Sequence, residues 1–408
     1  MTLDLGYVRA QFPNLADGYA YLDNAGGSQV LGVVGDRVRD YLLTSSVQLG
    51  ASYRKSGDAL AKVLAARRSV ARLINAPHDE EVVMGGSTTL LLQLFCRAIE
   101  PSIKPGDEII VTNTEHESNV GPWLGLERTG AKIVWWKVNR DSLDLELADL
   151  DRLIGPRTRW IAMTHASNIL GTVNPVEQVA RRARQAGARL CVDAVAYAPH
   201  RLVDVQASGA DAYVFSFYKV FGPHYAVLWA PRELLLELPS LNHHFIGRDV
   251  LPYKLQPGNV NYELSWGCTG ISDYLVDIGR RLGTNADERQ CMAAAFSAFA
   301  RQEDAIADRL LGYLRGRTDV RVIGRAGPAD ASRVPTISFV VAGRKSPDIV
   351  AQVDRHDIGI RFGDFYARRL IEDLELTTHG GVVRVSMAHY NTLDEIDRLI
   401  RAFDLVLN

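Results

Sequence analysis

The sequence predicts an α/β protein: a mostly parallel seven-stranded sheet covered by helices, followed by a smaller C-terminal α/β domain. Three observations predict it. From about Glu81 to Ala230, short apolar runs alternate with amphipathic helical stretches, the pattern of a sheet buried on both faces. Beyond Gly270 that alternation gives way to one long helical stretch and several shorter units. Finally, residues with reactive side chains follow several of the apolar runs, where ligands of such sheets bind.

Each element follows from local pattern. Ala59–Ile74 reads as an amphipathic helix ending near Asn75-Ala-Pro77. Strands are expected at Glu81–Met84, Glu108–Thr112, Lys132–Trp136, Trp160–Thr164, Leu190–Asp193, Ala212–Ser216 and Tyr225–Ala230. Helices are expected between them at Thr88–Ile99, Gly121–Arg128, Leu147–Ile154 and Pro175–Ala186. A long helix over about Asp287–Arg315 then leads to short units at Val320–Ile323, Thr336–Val341, Ile358–Phe362 and Val382–Ser386. The last helix, Leu393–Val406, begins with Thr392 as N-cap and Glu395 three residues on, a capping box. Ile323-Gly-Arg-Ala-Gly-Pro-Ala-Asp-Ala is the expected surface loop. Domain limits are placed at 15–269 for the large domain, with 1–14 and 270–408 forming the small one.

Composition excludes several classes. The chain has 408 residues, an apolar fraction of 47% and a charged fraction of 23%, as in ordinary globular proteins. A formal net charge of −2 gives no footprint for nucleic acid or an anionic membrane. No apolar run approaches the ~20 residues that cross a bilayer, and the first residues lack the pattern of a secretory signal. Cys96, Cys191, Cys268 and Cys291 have no CxxC spacing, so they read as packed, reduced thiols of a cytoplasmic protein, with neither disulfides nor a metal site.

The chemistry gathers around one lysine. Lys219 lies just beyond the apolar run Asp211–Ser216 and is followed by Gly222-Pro223. A lysine there needs a partner or a task. Asp193 ends the preceding apolar run. An amine and a carboxylate so placed point to a pyridoxal 5'-phosphate site, with Lys219 forming the Schiff base and Asp193 holding the pyridinium nitrogen. Gly85-Gly86-Ser87-Thr88-Thr89 follows a strand and opens a helix, where glycines and free N–H groups suit a phosphate. Ser or Thr at a helix start is also an ordinary N-cap, and the segment matches neither a Walker loop nor a GxGxxG fingerprint.

With these residues in place, the chain resembles the class V aminotransferase family, in the branch that contains the cysteine desulfurases. The matching segments are Tyr21-Leu-Asp-Asn-Ala-Gly-Gly-Ser28, Gly86-Ser-Thr-Thr89, Glu115-His-Glu-Ser-Asn119 and Thr164-His-Ala-Ser-Asn-Ile-Leu-Gly171. They continue in family order with Val192-Asp193, Ser216-Phe-Tyr-Lys219 and Arg384-Val-Ser-Met-Ala-His-Tyr-Asn-Thr392. The resemblance implies a fold type I homodimer with active sites at the subunit interface. It assigns Lys219 as Schiff-base lysine and proton-transfer base, Asp193 as partner of the ring nitrogen, and His116 as a catalytic residue that stacks on the ring and assists proton transfer. Ser87, Thr88 and Ser216 resemble phosphate ligands, Tyr218 adjoins the lysine, and Asn168 is a further cofactor contact. Asn259 lies where the neighbouring subunit donates a phosphate ligand, although threonine is usual there. Arg384 resembles the arginine that takes the substrate carboxylate, with Arg361 and Asn24 as further substrate contacts.

The chain departs from the desulfurase pattern at three places. Tyr366, in Arg361-Phe-Gly-Asp-Phe-Tyr366-Ala, stands where the branch carries its persulfide-forming cysteine, and no cysteine follows Cys291. Ala196 replaces a glutamine, and Tyr218 replaces a histidine. The expectation is therefore an enzyme acting on a small amino acid or amine, with transamination foremost. A lyase of C–S or C–Se bonds, an epimerase, or a non-catalytic dimeric scaffold in sulfur transfer are the alternatives.

Overall fold

A computed structural model describes residues 3–407. Its larger sheet has seven strands. From edge to edge the order is Val82–Gly85, Ala226–Trp229, Ala212–Ser216, Arg189–Asp193, Thr158–Thr164, Glu108–Thr112 and Lys132–Trp136. Ala226–Trp229 runs opposite in direction to the other six strands. The side-chain alternation of these strands feeds two cores at once. Leu190, Val192, Tyr213 and Phe215 join the core on one face, and Cys191, Ala212 and Val214 that on the other. A strand with two buried faces reads as a continuous apolar run, which is why these segments stand out in the sequence.

Helices close both faces. Thr88–Ile99 buries Leu91, Leu92, Phe95, Cys96 and Ile99 on one side. Val176–Gln185 buries Val176, Val179, Ala180 and Ala183 on the other. Gly32–Thr44 and Tyr262–Arg281, which the sequence pattern left unnamed, pack together there. The expected helix at Gly121–Arg128 is a single α-turn, Gly121–Leu124, followed by the 3₁₀ segment Gly125–Thr129. Pro122 starts it and Gly130, at φ 88°, ends it, so little helix fits between them.

The smaller sheet is antiparallel throughout, in the order Arg361–Gly363, Val382–Ser386, Thr336–Val341 and Val320–Ile323. Ile306 and Leu310 of the helix Glu288–Arg315 pack with Phe339, Val383 and Phe403 in its core. The capping box of Leu393–Leu407 is present in both halves: Thr392 Oγ1 accepts from the Glu395 N–H, and Glu395 accepts from the Thr392 N–H. The expected single strand over 358–362 is divided. Ile358–Gly359 pairs in parallel with Ala20–Tyr21, while Arg361–Gly363 turns to Val382–Ser386. The segment Ala20–Ala25 thus hydrogen-bonds with the small sheet, and the helix Tyr262–Arg281 runs unbroken through position 270. No helix among the described residues is long and apolar enough to cross a membrane.

Candidate active site

The carboxyl ends of the parallel strands converge on one cleft, of about 510 Å3. Strand Arg189–Asp193 delivers Asp193, Thr158–Thr164 delivers Thr164, and Ala212–Ser216 delivers Ser216. One 3₁₀ turn, Phe217–Lys219, then aims Lys219 into the same space. Of the residues expected to hold a cofactor, Ser87, Thr88, His116, Asn168, Asp193, Ser216, Tyr218 and Lys219 all line it. Thr89, Ser118, Thr164, Ala166 and Val195, which sequence reasoning did not single out, line it as well.

Lys219 is buried, and burial together with the Arg384 charge lowers its pKa to about 8, against the opposing pull of Asp193. Its ammonium makes no hydrogen bond or ion pair among the described residues. Asp193 is also buried; burial raises it to about 6, countered by the Val195 N–H and the charge of Lys219. The Val195 N–H occupies Asp193 Oδ1 at 2.9 Å. Oδ2 takes no partner among the described residues, so one carboxylate oxygen is left for a ligand.

His116 stays neutral. Burial and the charges of Lys219 and Arg384 lower its pKa to about 4. Its Nδ1 accepts the Ser118 N–H at 3.1 Å, which places the ring proton on Nε2. Beside it, Glu115 is fully enclosed and accepts from Thr112 Oγ1, Asn119 Nδ2 and the Thr164 N–H. Burial nevertheless pushes its pKa up to about 8. This carboxyl joins two strand ends behind His116; an acidic residue next to the motif histidine was the only sequence signal for it.

At the other end of the cleft, the helix Thr88–Ile99 points its N-terminus inward. Ser87 caps it, taking the Leu90 N–H at 3.1 Å, and the first-turn N–H groups before Leu90 remain available. Thr88 Oγ1 and Ser216 Oγ lie 2.7 Å apart beside them. A phosphate cradle, an uncommitted amine and a half-free carboxylate in one cleft fit pyridoxal phosphate. Ala196 lines the cleft without offering it a side-chain hydrogen bond, and Tyr218 stacks on His224 at 5.0 Å.

The expected substrate residues lie apart from this lining. Arg384, on Val382–Ser386, is 1% exposed; it donates to Asp23 Oδ1 at 2.9 Å and to the Asn168 carbonyl at 3.2 Å. Burial lowers its pKa to about 10. Arg361 stands directly opposite it on the neighbouring strand and also faces Asp23, at 3.6 Å. Asp23 belongs to the motif Tyr21–Ser28, where sequence reasoning named only Asn24. The Asn24 amide is consumed inside the protein: Nδ2 donates to the Tyr21 and Ser386 carbonyls and to Asn391, and Oδ1 accepts from Tyr390. Asn259 is exposed, at φ 79°, with Nδ2 on the Tyr262 hydroxyl, outside the cleft of its own chain. Tyr366 sits at the mouth, 69% exposed, with its ring 5.1 Å from that of His116.

A strand-end cleft that holds a buried lysine, a buried aspartate and the start of a helix suits amine chemistry on a phosphorylated aldehyde. The family model for Aminotransferase class-V matches residues 20–399, and the chain belongs to that family. It is 40% identical over 410 residues to the aminotransferase-like protein FGM3 of Gibberella zeae, covering 98% of each chain. It is 32% identical to the cysteine desulfurase-like protein ustD of Aspergillus flavus, over 99% of this chain and 91% of that one. The solved cysteine desulfurase CsdA of Escherichia coli matches 100% of this chain and 99% of its own, with 29% identity and a TM-score of 0.84. The fold is that of fold type I enzymes, and members of the family use pyridoxal 5'-phosphate.

Proposed function

We propose that the protein transfers the amino group of a small amino acid, using Lys219 as attachment point and proton carrier. The observation that carries this reading is the uncommitted Lys219 amine facing the same cleft as the free oxygen of Asp193. Bound pyridoxal phosphate supplies an aldehyde for the amino group and a ring that delocalises the electron pair left at the α-carbon. The protein's own residues do the rest. Thr88, Ser216 and the helix start would hold the phosphate, Asp193 would accept the hydrogen bond of the ring nitrogen, and neutral His116 would pack against the ring. Lys219, with its pKa near 8, would take the α-proton and deliver it to the carbon that carried the cofactor's aldehyde, which leaves the amino group there and frees a keto acid. Arg384 receives the α-carboxylate through charge-assisted hydrogen bonds.

Desulfuration through an enzyme persulfide does not suit this chain. Tyr366 carries a phenol where that chemistry needs a thiolate, and all four cysteines are buried. A lyase that releases sulfide or selenide without an enzyme thiol, or an epimerase, uses the same Lys219 step and is the second reading. A homodimeric, cytoplasmic enzyme completes the proposal, with exposed Asn259 offered to the cleft of the partner.

The test is to add a panel of amino acids to the cofactor-loaded protein with no keto acid present. A transaminase releases one keto acid per site and then stops. Continuous release of pyruvate with sulfide or selenide makes it a lyase, and loss of optical activity without keto acid makes it an epimerase. A protein that binds no pyridoxal phosphate is a scaffold.

A further inference from the structure

Arg384, Arg361, Asp23 and Phe365 form a cluster that the cleft itself does not expose. The Cζ of Arg384 lies 3.6 Å from the centre of the Phe365 ring, and that of Arg361 lies 5.5 Å from the same ring. Both guanidinium groups turn to the single carboxylate of Asp23. Two cations therefore share one anion, and one positive charge is left over. The Nε of Arg384 is buried without a hydrogen-bond partner. A buried, unpaired donor beside a surplus cation is unfavourable, and one more carboxylate would relieve both. The face of an aromatic ring is a partial substitute for that anion.

The ring is held in place from outside. The Phe365 carbonyl accepts from Asn168 Nδ2 at 2.9 Å, and the Tyr366 carbonyl accepts from the Glu117 N–H at 2.8 Å. Phe365 and Tyr366 have φ of 50° and 60°, a left-handed conformation that neither residue type favours. The segment is thus fixed by its contacts and not by its own backbone preference. Asn168, which holds the ring, also accepts from Arg384 through its carbonyl.

We propose that Phe365 is the gate residue of the carboxylate site: it covers Arg384 in the resting protein and leaves the guanidinium when a substrate carboxylate arrives. This makes the loop that carries Tyr366 a selector for carboxylate-bearing amines: Phe365 swings off the face of the guanidinium and admits the substrate's anion to its N–H edge, where Nε is unpaired. The inference rests on the proposed reaction with amino acids, because it concerns how their carboxylate gains entry.

The experiment uses the cofactor-loaded protein and two probes, propionate (a carboxylate without an amine) and propylamine (an amine without a carboxylate). Association of each is followed by rapid mixing through the visible spectrum, in the wild type, Phe365→Ala and Phe365→Tyr. Removing the ring should speed propionate association about tenfold, in the range by which a required conformational step slows binding. Phe365→Tyr should return to the wild-type rate, and propylamine should be unaffected in all three. Unchanged propionate association in Phe365→Ala overturns the gate, as does equal acceleration of both probes or no propionate binding by any of the three. If propionate behaves as expected while no amino acid is turned over, the gate stands and the proposed reaction fails.

Discussion

Lys219 and Lys254 are both buried, and burial is the first cause that lowers each to a pKa of about 8. Their surroundings differ. The Lys254 ammonium donates to the carbonyls of Leu238 at 2.8 Å and Arg248 at 2.9 Å, and so ties the segment after the helix Arg232–Glu237 to the turn Tyr253–Leu255. The Lys219 ammonium has no such acceptor and faces a cleft lined by Asp193, His116 and Thr88. A depressed lysine pKa therefore does not identify a reactive amine. What separates the two is whether the protein satisfies the nitrogen itself or leaves it to a ligand.

The comparison can be broken at either lysine. Lys219→Ala should lower turnover by roughly 1,000-fold or more while leaving the fold intact, since it removes both the attachment point and the proton carrier; steady-state kinetics beside circular dichroism would show it. Turnover near the wild-type level would remove Lys219 from the mechanism. At the substrate end, Arg384→Lys keeps the charge but loses the planar fork. A drop of about tenfold or more in kcat/KM is expected, with cofactor affinity unchanged in a spectroscopic titration.

pH offers a finer probe. An amine that titrates near 8 becomes uncharged two units earlier than a solvated lysine near ~10.4. The rate at which cofactor-free protein captures pyridoxal phosphate should rise from pH 6 to about 8 and then level off. A rise that continues toward pH 10 would describe an exposed lysine. The smallest effect on catalysis belongs to Lys254→Met, which leaves two carbonyls without their donor. It should cost about 2 kcal/mol of stability in denaturant unfolding and leave turnover unchanged.

The same contrast explains what could be read from the sequence. Asp193, Ser216 and Lys219 each sit at the end of a local apolar run, and a parallel sheet brings successive strand ends together. Their convergence needed no knowledge of distant contacts. The carboxylate end is assembled differently: Asp23 meets Arg384 across 361 positions of sequence. Arg361 reaches the cluster only because the segment after Ile358 changes sheets. No periodicity reports such pairings, so Asp23 and Phe365 passed unnoticed. For the same reason, the sequence carries no sign that the Asn24 amide, expected at the substrate, is bonded to Tyr390 and Asn391 in the fold.

The most direct measurement is to reduce the cofactor-loaded protein with borohydride, digest it, and locate the added pyridoxyl mass by mass spectrometry. One modified peptide is predicted, carrying the group on Lys219. Modification of Lys254 instead, or an unmodified Lys219 in a protein that binds the cofactor, would contradict the assignment of this cleft as the active site.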